Sequence, residues 1–470
     1  MNTLYKNSLL YLLATLSVKA ASFILLPFYS DLISPAEYGY IYIVISFVSF
    51  MSIMMTFSVS ASISRFYIDC KGMEDVRKMF STIIYTVLGS SIVFGGILLC
   101  LNRTLAHLLN IPSLYFIIAV ISSILSCFYL LITSLLYIRQ EAKKISLTSI
   151  GMGILQIVIQ LCLVLNMHNK AFAMILSQLI CAFVMFVIFL VYSRPYFIAF
   201  YDYTKVWIYV KYAFSQFPSD VSVWLLSFSD RMMINKIQGS SATGIYGMGQ
   251  TLGSVPKLIF SSINSAYVPF VFNCYKNMDK DNEYSKDLIS QTTRVFSIVT
   301  MIVAIIILFS NNIVSLLNEQ FAKSTVVMAV MLFAMLIDAY RTIFTNPLAY
   351  NIKYTKIKSV IWCMAAIFNM SLNLYLIPRY SIYGACVAMI LSYGMSFTLI
   401  VYYSKKAIPI KYDIKRMALV FLLSLVLASF VFMGSSLVML IVKIFLVFLY
   451  SIFMVKFLNI NISVLLRQNN

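Results

Sequence analysis

The chain is poor in acid and in charge of any kind: 16 Asp and Glu stand against 35 Lys and Arg in 470 residues, and only 11% of positions are charged. A soluble domain carries about a quarter of its residues charged, so the bulk of this chain is not one. Polar stretches are short as well. No segment between apolar runs exceeds about 20 residues, well under the ~50 that the smallest ordinary domain needs, which leaves no room for an attached nucleotide-binding or glycosyltransferase domain. The phosphate-binding pattern of Gly, four residues, Gly-Lys-Ser/Thr is missing, and with it ATP hydrolysis by that route. Only two histidines occur, His107 and His168, in loops of different hairpins. No nucleophile, base and orienting group come together, so the sequence offers no enzyme. Eight cysteines (Cys70, Cys100, Cys127, Cys162, Cys181, Cys274, Cys363 and Cys386) are scattered singly, without metal or redox spacing, and no cofactor motif is present. Apolar residues fill the chain instead: 61% are hydrophobic, 15% aromatic, and the mean hydropathy is +0.91. The expected fold class is an all-α polytopic membrane protein.

A membrane-spanning helix needs ~20 mostly apolar residues. Apolar runs broken by turn and charge clusters predict spans at 9–32, 40–62, 79–101, 114–138, 146–166, 171–193, 213–237, 244–271, 289–310, 324–344, 359–377, 382–403, 416–434 and 436–455, about 14 in all. With the N-terminus inside, 24 of the Lys and Arg fall in cytoplasmic segments, 5 in external loops and 6 within spans. Such asymmetry is a topology signal that one missed helix would scramble. It places both termini in the cytoplasm, and it accounts for the formal charge of +19 without nucleic acid as a partner. Lys6, the apolar stretch from Leu9 to Leu16 and Ser17-Val18-Lys19-Ala20 have the outline of a signal peptide. The apolar run continues through Phe23-Ile24-Leu25-Leu26, however, which makes it a full span.

Two sequence matches suggest duplication. Ala173-Met174-Ile175-Leu176-Ser177 recurs as Ala388-Met389-Ile390-Leu391-Ser392, with Gln156 and Gln160 upstream corresponding in spacing to Asn369 and Asn373. The join Ser34-Pro35-Ala36-Glu37-Tyr38-Gly39 matches Ser240-Ser241-Ala242-Thr243-Gly244, and both pairs lie roughly 205 to 215 residues apart, the signature of an internal repeat. The predicted organisation is an N-terminal lobe at 1–193, a C-terminal lobe at 194–403, six helices each, and a C-terminal helix pair at 404–470.

The run from Leu26-Pro27-Phe28-Tyr29-Ser30-Asp31 to Gly39, Asp230-Arg231 followed by Gly244-Ile245-Tyr246, and Asn369 to Ala385 with Ile377-Pro378 and Gly384-Ala385 together resemble the polysaccharide-repeat-unit flippases. These are the O-antigen and capsule, Wzx-type members of the multidrug/oligosaccharidyl-lipid/polysaccharide exporter superfamily. The resemblance covers about residues 5–405, and Ser381 departs from it where the family usually has glycine. It implies paired lobes around a cavity that opens alternately to each side of the bacterial inner membrane. Its implied cargo is an oligosaccharide on undecaprenyl diphosphate, moved for lipopolysaccharide, capsule or exopolysaccharide assembly. The implied partners are this lipid-linked oligosaccharide, membrane lipid, H+ or Na+ as a coupling ion, and a polysaccharide polymerase.

Charges in a bilayer cost on the order of 2.5 to 3.5 kcal/mol each and are functional candidates by default. Lys19 and Lys257 stand near the centres of the first and eighth spans and would compensate a diphosphate crossing the midplane. Arg231 is a third candidate for that cationic cavity. Asp338 and Arg341, three apart on one helix, have the spacing of a self-neutralised pair. Asp230 and Arg231 are adjacent, do not face each other, and need different partners. Asp220, Asp230, Asp338 and Arg341 are the candidates for ion coupling or gating; Arg294 reads as a membrane-edge residue and Lys443 as a packing or groove residue. Pro27, Pro218, Pro256 and Pro269 favour bends. A cation-coupled multidrug exporter would need an acidic cavity, against Lys19 and Lys257. A non-transport scaffold or polymerase of the same pathway is the other alternative; a polymerase would carry a large external loop, and the external loops here are short.

Overall fold

The computed structural model describes residues 22–278, 282–434 and 436–457, and within them the chain is helical with no strand. The helices in order are α1 (Leu26–Leu32), α2 (Pro35–Thr56), α3 (Ser60–Phe66), α4 (Met73–Cys100), α5 (Asn102–Leu108), α6 (Ser113–Ile138), α7 (Ala142–Asn166) and α8 (Lys170–Ser193). They continue as α9 (Val206–Gln238), α10 (Ser240–Gly253), α11 (Val255–Asn277), α12 (Asn282–Val314), α13 (Ser324–Tyr350), α14 (Thr355–Ala407), α15 (Ile414–Ser429) and α16 (Leu437–Phe457). Among the described residues eight helices are long and apolar enough to cross a membrane: α2, α4, α6, α7, α8, α12, α13 and α14. The protein is a multi-pass, all-α membrane protein. Most of the first predicted span, Lys19 included, lies outside the described residues.

Several predicted spans need correction. The second does not run unbroken from 40 to 62: Phe57 and Ser58 both adopt left-handed backbone conformations and separate α2 from α3. Pro256 sits just after a break at Ser254, and Pro27 opens α1 after a turn at Leu25. By contrast α9 and α11 continue through Pro218 and Pro269. The seventh and eighth spans meet without a loop, because Gly239 at φ 89° is the one residue between α9 and α10. The eleventh and twelfth meet inside α14 at Ser381, whose φ of 53° and ψ of −136° belong to the first corner of a tight turn that favours glycine.

Contacts divide the chain into two compact units, one of residues up to 248 with 359–392, the other of 249–358 with 393 onward. The core of the first packs Val59 and Ile63 against Phe80, Ile83, Leu131, Leu135 and Phe189. The second packs α15 and α16 on α12 through Leu308, Val420, Leu427 and Met454, where Ser424 and Tyr450 share a 2.5 Å hydrogen bond. Close packing and such polar contacts hold helices together in lipid.

Within the first unit α2 starts at a capping box: Ser34 accepts from the Glu37 N–H, and the Glu37 carboxylate accepts from the Ser34 N–H at 2.9 Å, satisfying two otherwise orphaned donors. This start crosses the start of α10 with the backbones touching. A Cβ added at Gly39 would overlap the Ser240 carbonyl, and one at Gly244 the Pro35 carbonyl. Gly244 follows Gly39 at the same interval at which Ser240 follows Pro35. The contact is therefore reciprocal, as across a two-fold axis, and it joins the two segments whose sequences match.

Candidate functional site

In the second unit Lys257 stands at the start of α11, exposed, beside buried Pro256. It lines a narrow cleft with Phe260 of the same helix, Val303 of α12, and Met335 and Asp338 of α13. Asp338 accepts from Arg341 Nε at 3.0 Å and from its Nη2 through the same carboxylate oxygen. Arg341 is only 2% exposed and Asp338 18%, so the guanidinium lies behind the carboxylate, 5.8 Å from the Tyr393 ring centroid. Two cations and one anion leave this group with a surplus positive charge, carried at its open side by Lys257. Sequence spacing foretold the Asp338–Arg341 pairing. That Lys257 shares the cleft depends on how α11 packs against α13 and has no local signature.

In the first unit Asp230 and Arg231, in the last third of α9, are buried. Asp230 accepts the Arg231 backbone N–H at 2.9 Å on one oxygen and the Tyr246 hydroxyl on the other. The Arg231 guanidinium lies 4.8 Å from the Tyr42 ring centroid and 5.3 Å from that of Phe228, so it is packed among aromatic faces, which attract a cation. Tyr42 was not singled out in the sequence, and Tyr246 only as part of a motif and not as the partner of Asp230; the spacing of Asp230 and Arg231 said only that each needed its own partner. Asp220, in the middle third of α9, is exposed and accepts from Ser58 Oγ at 2.6 Å, the residue at the break between α2 and α3.

A profile of the family described as "Polysaccharide biosynthesis protein" matches residues 30–325, more than half the chain. The protein belongs to the polysaccharide biosynthesis protein family. An Lsg locus protein of Haemophilus influenzae is 22% identical over 293 residues, covering 58% of this chain and 67% of the relative. Among solved structures the fold is similar to that of the lipid II flippase MurJ in its inward closed conformation, with a TM-score of 0.76, 14% identity, and coverage of 94% of this chain and 98% of the other. A multidrug resistance MATE family transporter of the MOP superfamily, inward-facing, matches with a TM-score of 0.59 and 11% identity over 88% of this chain and 95% of the other. This member of the polysaccharide biosynthesis protein family thus has a transporter fold.

Several other charged groups in this family member have local partners. Lys443 of α16 is fully buried and donates to Asn312 Oδ1 at 2.7 Å, a packing position. A larger hollow in the first unit, lined by Asp69, Asp75, Lys78, Asp202 and Lys205, has its carboxylates engaged: Asp69 with Arg65 at 3.1 Å, Asp75 with the Lys71 N–H, and Asp202 with Thr204 and the Lys205 N–H. The hydrogen bond from the Thr204 hydroxyl holds the Asp202 carboxyl below the usual carboxylate range. Among the described residues no three His, Cys, Asp or Glu gather as metal ligands would.

Proposed function

We propose that the protein is a flippase that moves oligosaccharide repeat units on a polyprenyl diphosphate, such as undecaprenyl diphosphate, outward across the bacterial inner membrane for O-antigen, capsule or exopolysaccharide assembly. The cationic surplus at Lys257 carries this reading. A diphosphate meets a desolvation barrier in the bilayer, and a fixed cation at a polar opening lowers it. A cleft with its acid already neutralised by Arg341 suits an anionic headgroup and disfavours a cationic drug. The family membership and the transporter fold support the same choice. In this mechanism Lys257 meets the headgroup, and Lys19 of the first predicted span is a second candidate cation. The cleft has room for about one water in this conformation, so it must widen to admit cargo, with the lobes at 1–193 and 194–403 moving and the helix pair at 404–470 attached to the second. The crossing of α2 and α10 is the contact that would part on the external side. H+ or Na+ would couple through Asp220 or Asp230.

The test is complementation of a flippase-deficient strain, with membrane abundance measured in parallel. Lys257→Gln should lower surface glycan at normal abundance, and Lys257→Arg should retain more. Wild-type glycan from a Lys19→Gln, Lys257→Gln double variant would discard the cationic mechanism.

A further inference from the structure

Helix α7 has an apolar outer face and a packed inner one. Leu147, Ile154, Val158 and Leu165 are 49% to 73% exposed on the face turned to lipid, while α6 and α8 pack against the other side. Gln156 stands two residues from both Ile154 and Val158, about 200° around the helix, and so points away from that lipid face. It is nevertheless exposed, with Gln160 half-buried one turn on. The i+4 row makes the reason plain: Met152 and Val164 at its ends are buried, and the two glutamines between them are not. On the side opposite the lipid-turned face, these two positions stay open while their row neighbours close. Neither amide has a hydrogen-bond partner among the described residues, so the donors and acceptors of both remain open. Their sequence counterparts behave differently. Asn369 and Asn373 are buried, and the Asn373 amide donates to Asn369 Oδ1 at 3.0 Å.

We infer that Gln156 and Gln160 form a subsite for the hydroxyls of the glycan, which deepens the flippase reading and rests on it. Each amide offers two donors and an acceptor, and a pair one turn apart, about 6 Å along the axis, can reach hydroxyls on opposite sides of one sugar or on adjoining sugars. The pair is neutral, so it recognises the sugar and leaves the diphosphate to the cations. A site built to hydrogen-bond hydroxyls discriminates strongly against an analogue lacking them.

The experiment uses the full-length purified protein and a Gln156→Leu, Gln160→Leu variant of nearly equal side-chain volume. The probes are the delipidated oligosaccharide repeat unit of the host polysaccharide and undecaprenyl diphosphate without sugar. The variant should lose about tenfold or more in oligosaccharide affinity, bind undecaprenyl diphosphate as the wild type does, and melt no lower, since two unpaired amides are removed. Equal oligosaccharide affinity in both proteins overturns the inference, as does a variant that changes oligomeric state, which would make the pair a contact between copies. Failure of the wild type to bind undecaprenyl diphosphate would instead overturn the flippase reading beneath it.

Discussion

The two units each bury an arginine beside an aspartate on one helix, yet they dispose of the charge in opposite ways. On α9 the residues are adjacent, so Asp230 turns to Tyr246 and the neighbouring N–H while Arg231 turns to the aromatic faces of Tyr42 and Phe228. The whole group is sealed, with Asp230 2% and Tyr246 0% exposed. On α13 the residues are three apart, so Asp338 and Arg341 neutralise each other and Asp338 still reaches the cleft that Lys257 lines. A shift of two positions along a helix separates a sealed cluster from one whose carboxylate reaches a cleft lined by a lysine.

Substitutions can break this contrast in graded steps. The largest effect is expected from Asp338→Leu, which strands Arg341 without its counter-ion; losing one partner of a buried pair costs about 3–5 kcal/mol, read as a lower melting temperature in detergent. Adding Arg341→Met should recover most of that loss, and a double variant as unstable as the single one would show that the pair is not the cause. Next is Tyr246→Phe, which removes a hydrogen bond to a buried carboxylate worth about 1.5–3 kcal/mol. It should lower stability with no change in which glycan is exported. Ser381→Gly, outside both clusters, should raise stability by about 1 kcal/mol by relieving a positive φ, and a drop in melting temperature would count against the turn. Smallest on this scale is Lys257→Gln, within about 0.5 kcal/mol of wild type because the side chain is exposed. If its abundance or melting temperature falls as far as that of Tyr246→Phe, the open cluster is structural too.

Helix positions were legible wherever lipid imposes an apolar run with polar ends. The spans expected at 114–138 and 171–193 are α6 at 113–138 and α8 at 170–193, differing by a residue at their starts. The break at Phe57 and Ser58 was not legible, since neither is a residue that ordinarily marks a left-handed turn; it stands where Ser58 reaches Asp220 across from α9. Ser381 was legible only as a departure from a glycine, and its positive φ supplies the reason for that glycine. For the site, helical spacing sufficed to pair Asp338 with Arg341 but not to find Tyr246, which lies 16 residues from Asp230 on the next helix. Gln156 and Gln160 stood out through their spacing, and their lack of partners required the packing around α7.

The reciprocal contact of Gly39 with Ser240 and Gly244 with Pro35 also bears on ancestry. A contact that maps onto itself when the two segments are exchanged is the contact a symmetric homodimer of a half-length chain would make at its axis. In such a dimer one mutation alters both sides at once, so a glycine there is either kept twice or lost twice. Here each glycine faces the other segment's carbonyl, and neither position is free to gain a side chain by itself. At this junction a side chain on either glycine would have to displace the backbone of the opposite segment, so the two positions are constrained together by one contact.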